Sequence, residues 1–147
     1  MNSEITLEKK KKIIDLIKDV SNFYNSIRDD LCEPYGLSSL QAVILLDIYH
    51  HKDKTRVTDI CKRLNKKTNT ISPLINRMIE KNLLCKKKDA TDTRVTNVYL
   101  TEKTEEITKK IAIDVFDYTI PYFDGLSYEE IQSVEDALSL IIKVITK

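Results

Sequence analysis

The sequence predicts a mainly α-helical chain that carries one small β-hairpin. Three observations predict it. Apolar residues recur at helical spacing through most of the 147 residues. Two short amphipathic segments, 57–64 and 69–82, are separated by only a few polar residues. Directly after them the periodicity changes: Leu84–Lys88 and Val95–Leu100 are short runs with strand character, Thr96, Val98 and Leu100 alternating with Val95, Asn97 and Tyr99.

Taken in order, residues 5–31 read as one long helix. Ile13, Leu16, Ile17, Val20, Phe23, Tyr24, Ile27 and Leu31 occupy the i, i+3, i+4, i+7 positions. Pro34 and Gly36 end it. Ser38 and Gln41 form a capping box that opens a second helix. That helix is apolar nearly all round, through Leu40, Val43, Ile44, Leu45, Leu46, Ile48 and Tyr49, which makes it central and buried. His50 to Thr55 is polar and reads as a loop. The third helix, 57–64, places Val57, Ile60, Cys61 and Leu64 on one face, and Asn65 suits a left-handed C-cap. The fourth, 69–82, has one stripe of Ile71, Leu74, Ile75, Met78 and Ile79; Pro73 suits a start near residue 69 or 70.

Two short helices joined by a polar turn are a helix-turn-helix. The two strand-like runs that follow enclose a polar tip, Asp89 to Arg94, and so form a basic hairpin, a wing. Thr101 can cap a helix over about 102–120, which Pro121 ends. Ser127 and Glu130 form a second capping box before a last helix over about 128–146.

Composition excludes more than it assigns. With 41% hydrophobic and 32% charged residues, the chain is neither a disordered tail nor a membrane protein. No run of 18 apolar residues occurs, and MNSEITLEKKKK lacks the apolar core of a signal peptide. The expectation is a single cytoplasmic domain spanning 1–147. Cys32, Cys61 and Cys85 are odd in number and far apart, so neither a disulfide framework nor a Cys-x-x-Cys metal site is available. Gly36 and Gly125 are the only glycines, too few for a phosphate-cradling loop. The adjacent His50 and His51 are the only histidines a nucleophile could recruit. No catalytic residue, cofactor or metal site is expected, and the chain is read as not an enzyme.

The net charge of +1 hides an asymmetry. From Lys52 to Lys88 there are twelve Lys or Arg against three Asp or Glu, a net of +9; the remainder holds twelve against twenty, a net of −8. A basic centre fits a polyanion. It equally fits a solvated lysine-rich face, so charge alone leaves the choice open.

The motifs, in their order, resemble the MarR family of winged-helix transcriptional regulators, from about Leu31 to Ile145. The wing carries the most specific part: Asp92-Thr93-Arg94-Val95-Thr96-Asn97-Val98-Tyr99-Leu100-Thr101 fits the family's D-x-R-x-x-x-V-x-L-T pattern. Gly36-Leu37-Ser38-x-x-Gln41 and Gly125-Leu126-Ser127-x-Glu129-Glu130 fit at the expected spacing. Thr70-Ile71-Ser72-Pro73-Leu74-Ile75 looks most like the organic-peroxide-sensing branch. That branch keeps a reactive cysteine early in its first helix, near Ile14 here, and this chain has none before Cys32. Its peroxide chemistry is therefore not carried over.

The resemblance implies a winged helix-turn-helix over 38–100, flanked by dimerisation helices over 1–34 and 102–147. It implies a homodimer on a pseudo-palindromic operator in double-stranded DNA, acting as a repressor. A small aromatic or acidic effector would enter a cavity lined by Tyr24, Tyr49 and Tyr118, although tyrosines at helical spacing also serve as plain core.

Within that frame the candidate DNA contacts follow from side-chain chemistry. Asn69, Thr70, Ser72, Asn76 and Arg77 lie away from the apolar stripe of their helix, and Thr68 and Pro73 complete the candidate set of DNA contacts. Hydroxyls and amides reach base edges, and Arg77 can fork onto a guanine or a phosphate. Arg94 can enter a minor groove, with Asp92 holding its guanidinium. Lys86, Lys87 and Lys88 suit phosphates. Cys61 reads as core, while Cys32 and Cys85 are expected to be the more accessible thiols. They, or the His50-His51 pair as a zinc site, would be the trigger in the alternative reading, a redox- or metal-responsive regulator on the same fold.

Overall fold

A computed structural model describes residues 6–146. Ile5, the expected start of the first helix, and Lys147, the end of the expected C-terminal dimerisation segment, lie outside them. The described chain divides into two compact units, one up to Ile113 and one from Asp114.

The first unit begins with α1 (Leu7–Cys32), whose first turn is capped by the Thr6 hydroxyl accepting from the Lys9 amide at 3.3 Å. A single 3-10 turn, Glu33–Tyr35, follows, and Gly36 takes the left-handed conformation at φ 64°. The apolar residues of α1 from Leu7 to Tyr24 are exposed in this chain; Ile27 and Cys32 are buried.

The capping box of α2 (Ser39–His50) forms as expected. The Gln41 amide donates to Ser38 Oγ at 3.2 Å, and the Ser38 amide donates to Gln41 Oε1 at 2.9 Å. His50 ends this helix instead of opening the loop, because the next amide, His51, still donates to the Asp47 carbonyl at 3.1 Å. α2 supplies Ala42, Ile44, Leu45 and Ile48 to the core, each no more than 2% exposed. Ile60, Ile71, Ile75, Met78, Leu84, Val98 and Ile111 complete it from the elements that follow. Burying each large side chain contributes about 1.5–3 kcal/mol.

α3 (Val57–Leu64) has the predicted bounds and closes on Asn65 at φ 51°. The Lys66 amide reaches back to the Cys61 carbonyl at 3.0 Å, satisfying a carbonyl of the last turn. α4 (Thr68–Glu80) starts one residue before the predicted range and ends two residues before its end. Pro73 therefore stands in its second turn, and the Asn69 carbonyl lacks its helical donor. The early end has the same chemistry as the end of α3: Asn82 is left-handed at φ 58°, and the Leu83 amide donates to the Met78 carbonyl at 2.9 Å.

β1 (Leu84–Lys88) and β2 (Thr96–Leu100) pair antiparallel, Leu84 opposite Leu100 and Lys88 opposite Thr96. Val95 falls outside β2 because the tip engages it: its amide donates to the Asp92 carbonyl at 3.0 Å. The hairpin is tied to the chain before α3. The Val98 amide donates to the carbonyl of buried Thr55 at 3.0 Å, and Arg56 bridges Asn97.

α5 (Glu102–Thr119) opens on two reciprocal threonines. Thr101 Oγ1 accepts from the Thr104 amide at 3.3 Å; Thr104 Oγ1 accepts from the Thr101 amide and donates to the Leu83 carbonyl, both at 2.9 Å. The second unit holds the end of α5, a 3-10 turn Ile120–Phe123 that contains Pro121, and α6 (Tyr128–Ile145). Ser127 and Glu130 form the expected capping box. Leu138, Ile142 and Ile145 of α6 are 50–71% exposed. Among the described residues no helix is long and apolar enough to cross a membrane.

Candidate nucleic-acid interface

The apolar stripe of α4 buries Ile71, Ile75 and Met78, which turns its polar side outward. Thr68, Asn69, Thr70, Pro73, Asn76 and Arg77 are exposed there, and Ser72 is half-buried. The polar side chains of this set make no hydrogen bond or ion pair within the described residues. They can all accept a ligand's groups.

The wing presents cations. Lys86, Lys87 and Lys88 are exposed along β1, the Lys87 ammonium 5.8 Å from the centre of the Tyr99 ring. At the tip, Arg94 Nε lies 3.1 Å from Asp92 Oδ1 and Nη2 lies 3.2 Å from Oδ2. This fork, with a further bond from the Arg94 amide, holds the Asp92 carboxyl below the usual range. The Arg94 side chain remains 89% exposed.

Packing joins the two surfaces. Asn76, Ile75 and Ile79 of α4 line an open groove of about 430 Å³ together with Lys86, Lys87 and Lys88 of β1 and Thr96 of β2. A second groove of about 430 Å³ lies at the turn between α3 and α4, lined by Thr58, Lys62, Asn65, Lys66, Lys67 and Thr68. Sequence reasoning did not single out its three lysines. They sat in the basic run, but a charge count does not say which lysines share a face. Asp89 was also missed; its spacing to Thr91 and Asp92 is that of an Asx turn, which was a usable signal.

Tyr24 is on α1, with the Phe23 ring edge-on at 5.9 Å. Tyr49 on α2 is half-buried, between the His50 ring at 5.3 Å and the Lys52 ammonium at 5.3 Å. Tyr118 belongs to the second unit and meets Tyr122 at 6.2 Å. Cys61 is core as expected.

Cys32 is a correction: it is 0% exposed, because the end of α1 turns it into the core, and burial pushes its thiol pKa up. Only Cys85 is half-exposed, its thiol directed at the Leu100 carbonyl at 3.8 Å. His51 Nδ1 faces the Asp47 carbonyl at 2.9 Å, and His50 packs on Tyr49. Among the described residues no three His, Cys, Asp or Glu side chains gather around a metal position.

Two helices, a tight turn and a basic hairpin, built on a buried central helix, define a winged helix-turn-helix of MarR type. Solved structures share it. MepR from Staphylococcus aureus, in a MepR–DNA complex, is similar at TM-score 0.76 and 23% identity, over 88% of this chain and 95% of that one. MarR from Oenococcus oeni PSU-1 is similar at 0.73 and 26%, over 89% and 98%. A MarR family protein from Bacillus stearothermophilus is similar at 0.79 and 17%, over 97% and 99%. Among curated proteins the chain has no match. Residues 26–111 match the family described as transcriptional regulator SarA/Rot, and the chain belongs to that family of transcriptional regulators.

Proposed function

We propose that this chain binds double-stranded DNA sequence-specifically as a homodimer and represses transcription from a pseudo-palindromic operator. The observation that carries the reading is the groove shared by Asn76 of α4 and Lys86, Lys87 and Lys88 of the wing. A base-reading helix face and a phosphate-binding strand then meet one duplex at once. α4 enters a major groove with Asn69, Thr70, Ser72, Asn76 and Arg77 towards the bases. Thr68, Pro73 and the α3–α4 turn lie along the backbone. Arg94, held by Asp92, enters the adjacent minor groove. MepR has been solved bound to DNA on the same fold, which supports this assignment.

Residues 38–100 carry the winged helix-turn-helix in this reading, and the helices over 1–34 and 102–147 form the dimer. A small aromatic or acidic effector releases DNA by binding the DNA-incompetent dimer more tightly; Tyr24, Tyr49 and Tyr118 are the candidates to meet it. The likeness to the organic-peroxide-sensing branch rests on Thr70 to Ile75 alone, so the effector reading does not depend on peroxide.

A salt titration of duplex binding tests the function. Counterion release makes log K fall linearly with log salt, by about 0.9 per phosphate neutralised. Selection of a preferred duplex from a random-sequence pool, with a slope of several, is the expected result. No duplex binding at low salt overturns the reading.

A further inference from the structure

One carboxylate holds the tip of the wing. Asp89 follows β1 directly, and its amide donates to the Val95 carbonyl at 2.8 Å. Its Oδ2 accepts from the Thr91 amide at 3.1 Å, the Thr91 hydroxyl at 2.7 Å and the Asp92 amide at 3.1 Å. Its Oδ1 accepts from Asn97 Nδ2 at 3.0 Å, on the opposite strand. These donors hold the carboxyl far below its usual range, so it is ionised wherever the protein is folded at ordinary pH. Asp89 thus fixes the backbone at Asp92, and Asp92 in turn forks onto Arg94.

We propose that Asp89 is a positioning residue for DNA binding: it clamps the wing tip to Asn97 so that Asp92 presents Arg94 to the duplex. The role rests on the DNA-binding reading above. It makes a prediction of opposite sign to simple electrostatics. Asp89 adds a negative charge directly after Lys86, Lys87 and Lys88. By charge alone, removing it strengthens attraction to phosphate. If it positions the tip, removing it weakens binding, because the ordering it supplied must then be met when the duplex binds.

The test compares Asp89→Ala, Asp89→Asn, Arg94→Ala and the double variant Asp89→Ala/Arg94→Ala. The probe is a duplex that the wild-type chain selects from a random-sequence pool. Both Asp89 variants lose the same charge, but Asp89→Asn keeps an acceptor oxygen for the tip amides. Asp89→Ala is expected to weaken binding about tenfold without lowering the salt slope, and Asp89→Asn to restore most of it. In the Arg94→Ala background, Asp89→Ala is expected to have little further effect, because its role runs through Arg94. Amide exchange at Thr91 and Asp92 is expected to accelerate in Asp89→Ala while the amides of the buried core stay protected. Equal or tighter binding by Asp89→Ala, or unchanged protection of those amides, overturns the positioning role alone. If the wild-type chain selects no duplex, the proposed function falls and takes this role with it.

Discussion

Asp47 and Arg63, sixteen residues apart, meet in a two-point ion pair inside the first unit. Arg63 Nε lies 3.0 and 3.1 Å from the two carboxylate oxygens, and Nη2 lies 2.7 Å from Oδ2. The carboxylate is 5% exposed, and the same Nη2 donates to the Lys54 carbonyl at 2.6 Å. One guanidinium thereby fixes the end of α2, the loop after it and the end of α3. Arg63→Ala leaves a buried carboxylate without its guanidinium, with only His51 Nδ1 at 3.6 Å, and is expected to destabilise the fold by roughly 3 kcal/mol, read from denaturant unfolding. A loss under about 0.5 kcal/mol would show that the pair is not a structural tie.

Arg94 stands apart from the core, with its side chain 89% exposed. Arg94→Ala is expected to weaken binding to a selected duplex by about 1–3 kcal/mol and to leave the melting temperature unchanged. Unchanged affinity removes the wing tip from the mechanism.

The thiols differ in access. Cys32 and Cys61 are 0% and 6% exposed, whereas Cys85 is half-exposed. An alkylating reagent applied to the native protein is expected to label Cys85 first, with the other two following only on addition of denaturant. Mass spectrometry of the digested protein reads the order. Early labelling of Cys32 would bring back the reading in which that thiol is a trigger.

The wing tip is expected to keep its order in acid below the point where ordinary carboxylates protonate. Asp89 and Asp92 both have folded-state pKa values lowered from 3.8, Asp89 chiefly by the Thr91 hydroxyl and Asp92 chiefly by Arg94. A lowered folded pKa means that the stabilisation is fully present above the unfolded value. It is lost as pH falls through the folded one. Carboxyl-carbon titration by NMR is expected to place both midpoints below 3.8. A midpoint at or above that value contradicts the bonding described for that residue.

The proposed dimer is supported by exposed apolar surface. Leu138, Ile142 and Ile145 line one side of α6, each at least half exposed in the single chain. Light scattering is expected to give a mass of two chains, and Ile142→Glu to shift it towards one. In the proposed reading a monomer meets only one half-site, so the same variant is expected to weaken binding to a selected duplex by more than about tenfold. A monodisperse wild-type monomer at micromolar concentration contradicts the dimer.

What the sequence by itself determined was local. The capping boxes Ser38–Gln41 and Ser127–Glu130 and the left-handed Asn65 were legible because each spans a few residues and depends on local side-chain and backbone chemistry alone. The apolar stripe of α4 was legible because helical period fixes which side chains share a face. The wing pattern from Asp92 to Thr101 carried the resemblance to winged-helix regulators for the same reason, since a hairpin keeps its neighbours close in sequence. Only the tertiary structure decided the rest. Asp47 found Arg63 because α2 and α3 pack together; nothing in the spacing of the two residues pairs them. Cys32 was buried by the turn at Glu33–Tyr35, which directs the end of α1 into the core. Asn76 came to share a groove with Lys86, Lys87 and Lys88 while Asn97 and Val98 of the hairpin are bound to Arg56 and Thr55, residues distant in sequence. Such placements depend on which surfaces bury the most apolar area together, a property of the whole chain that no local window contains.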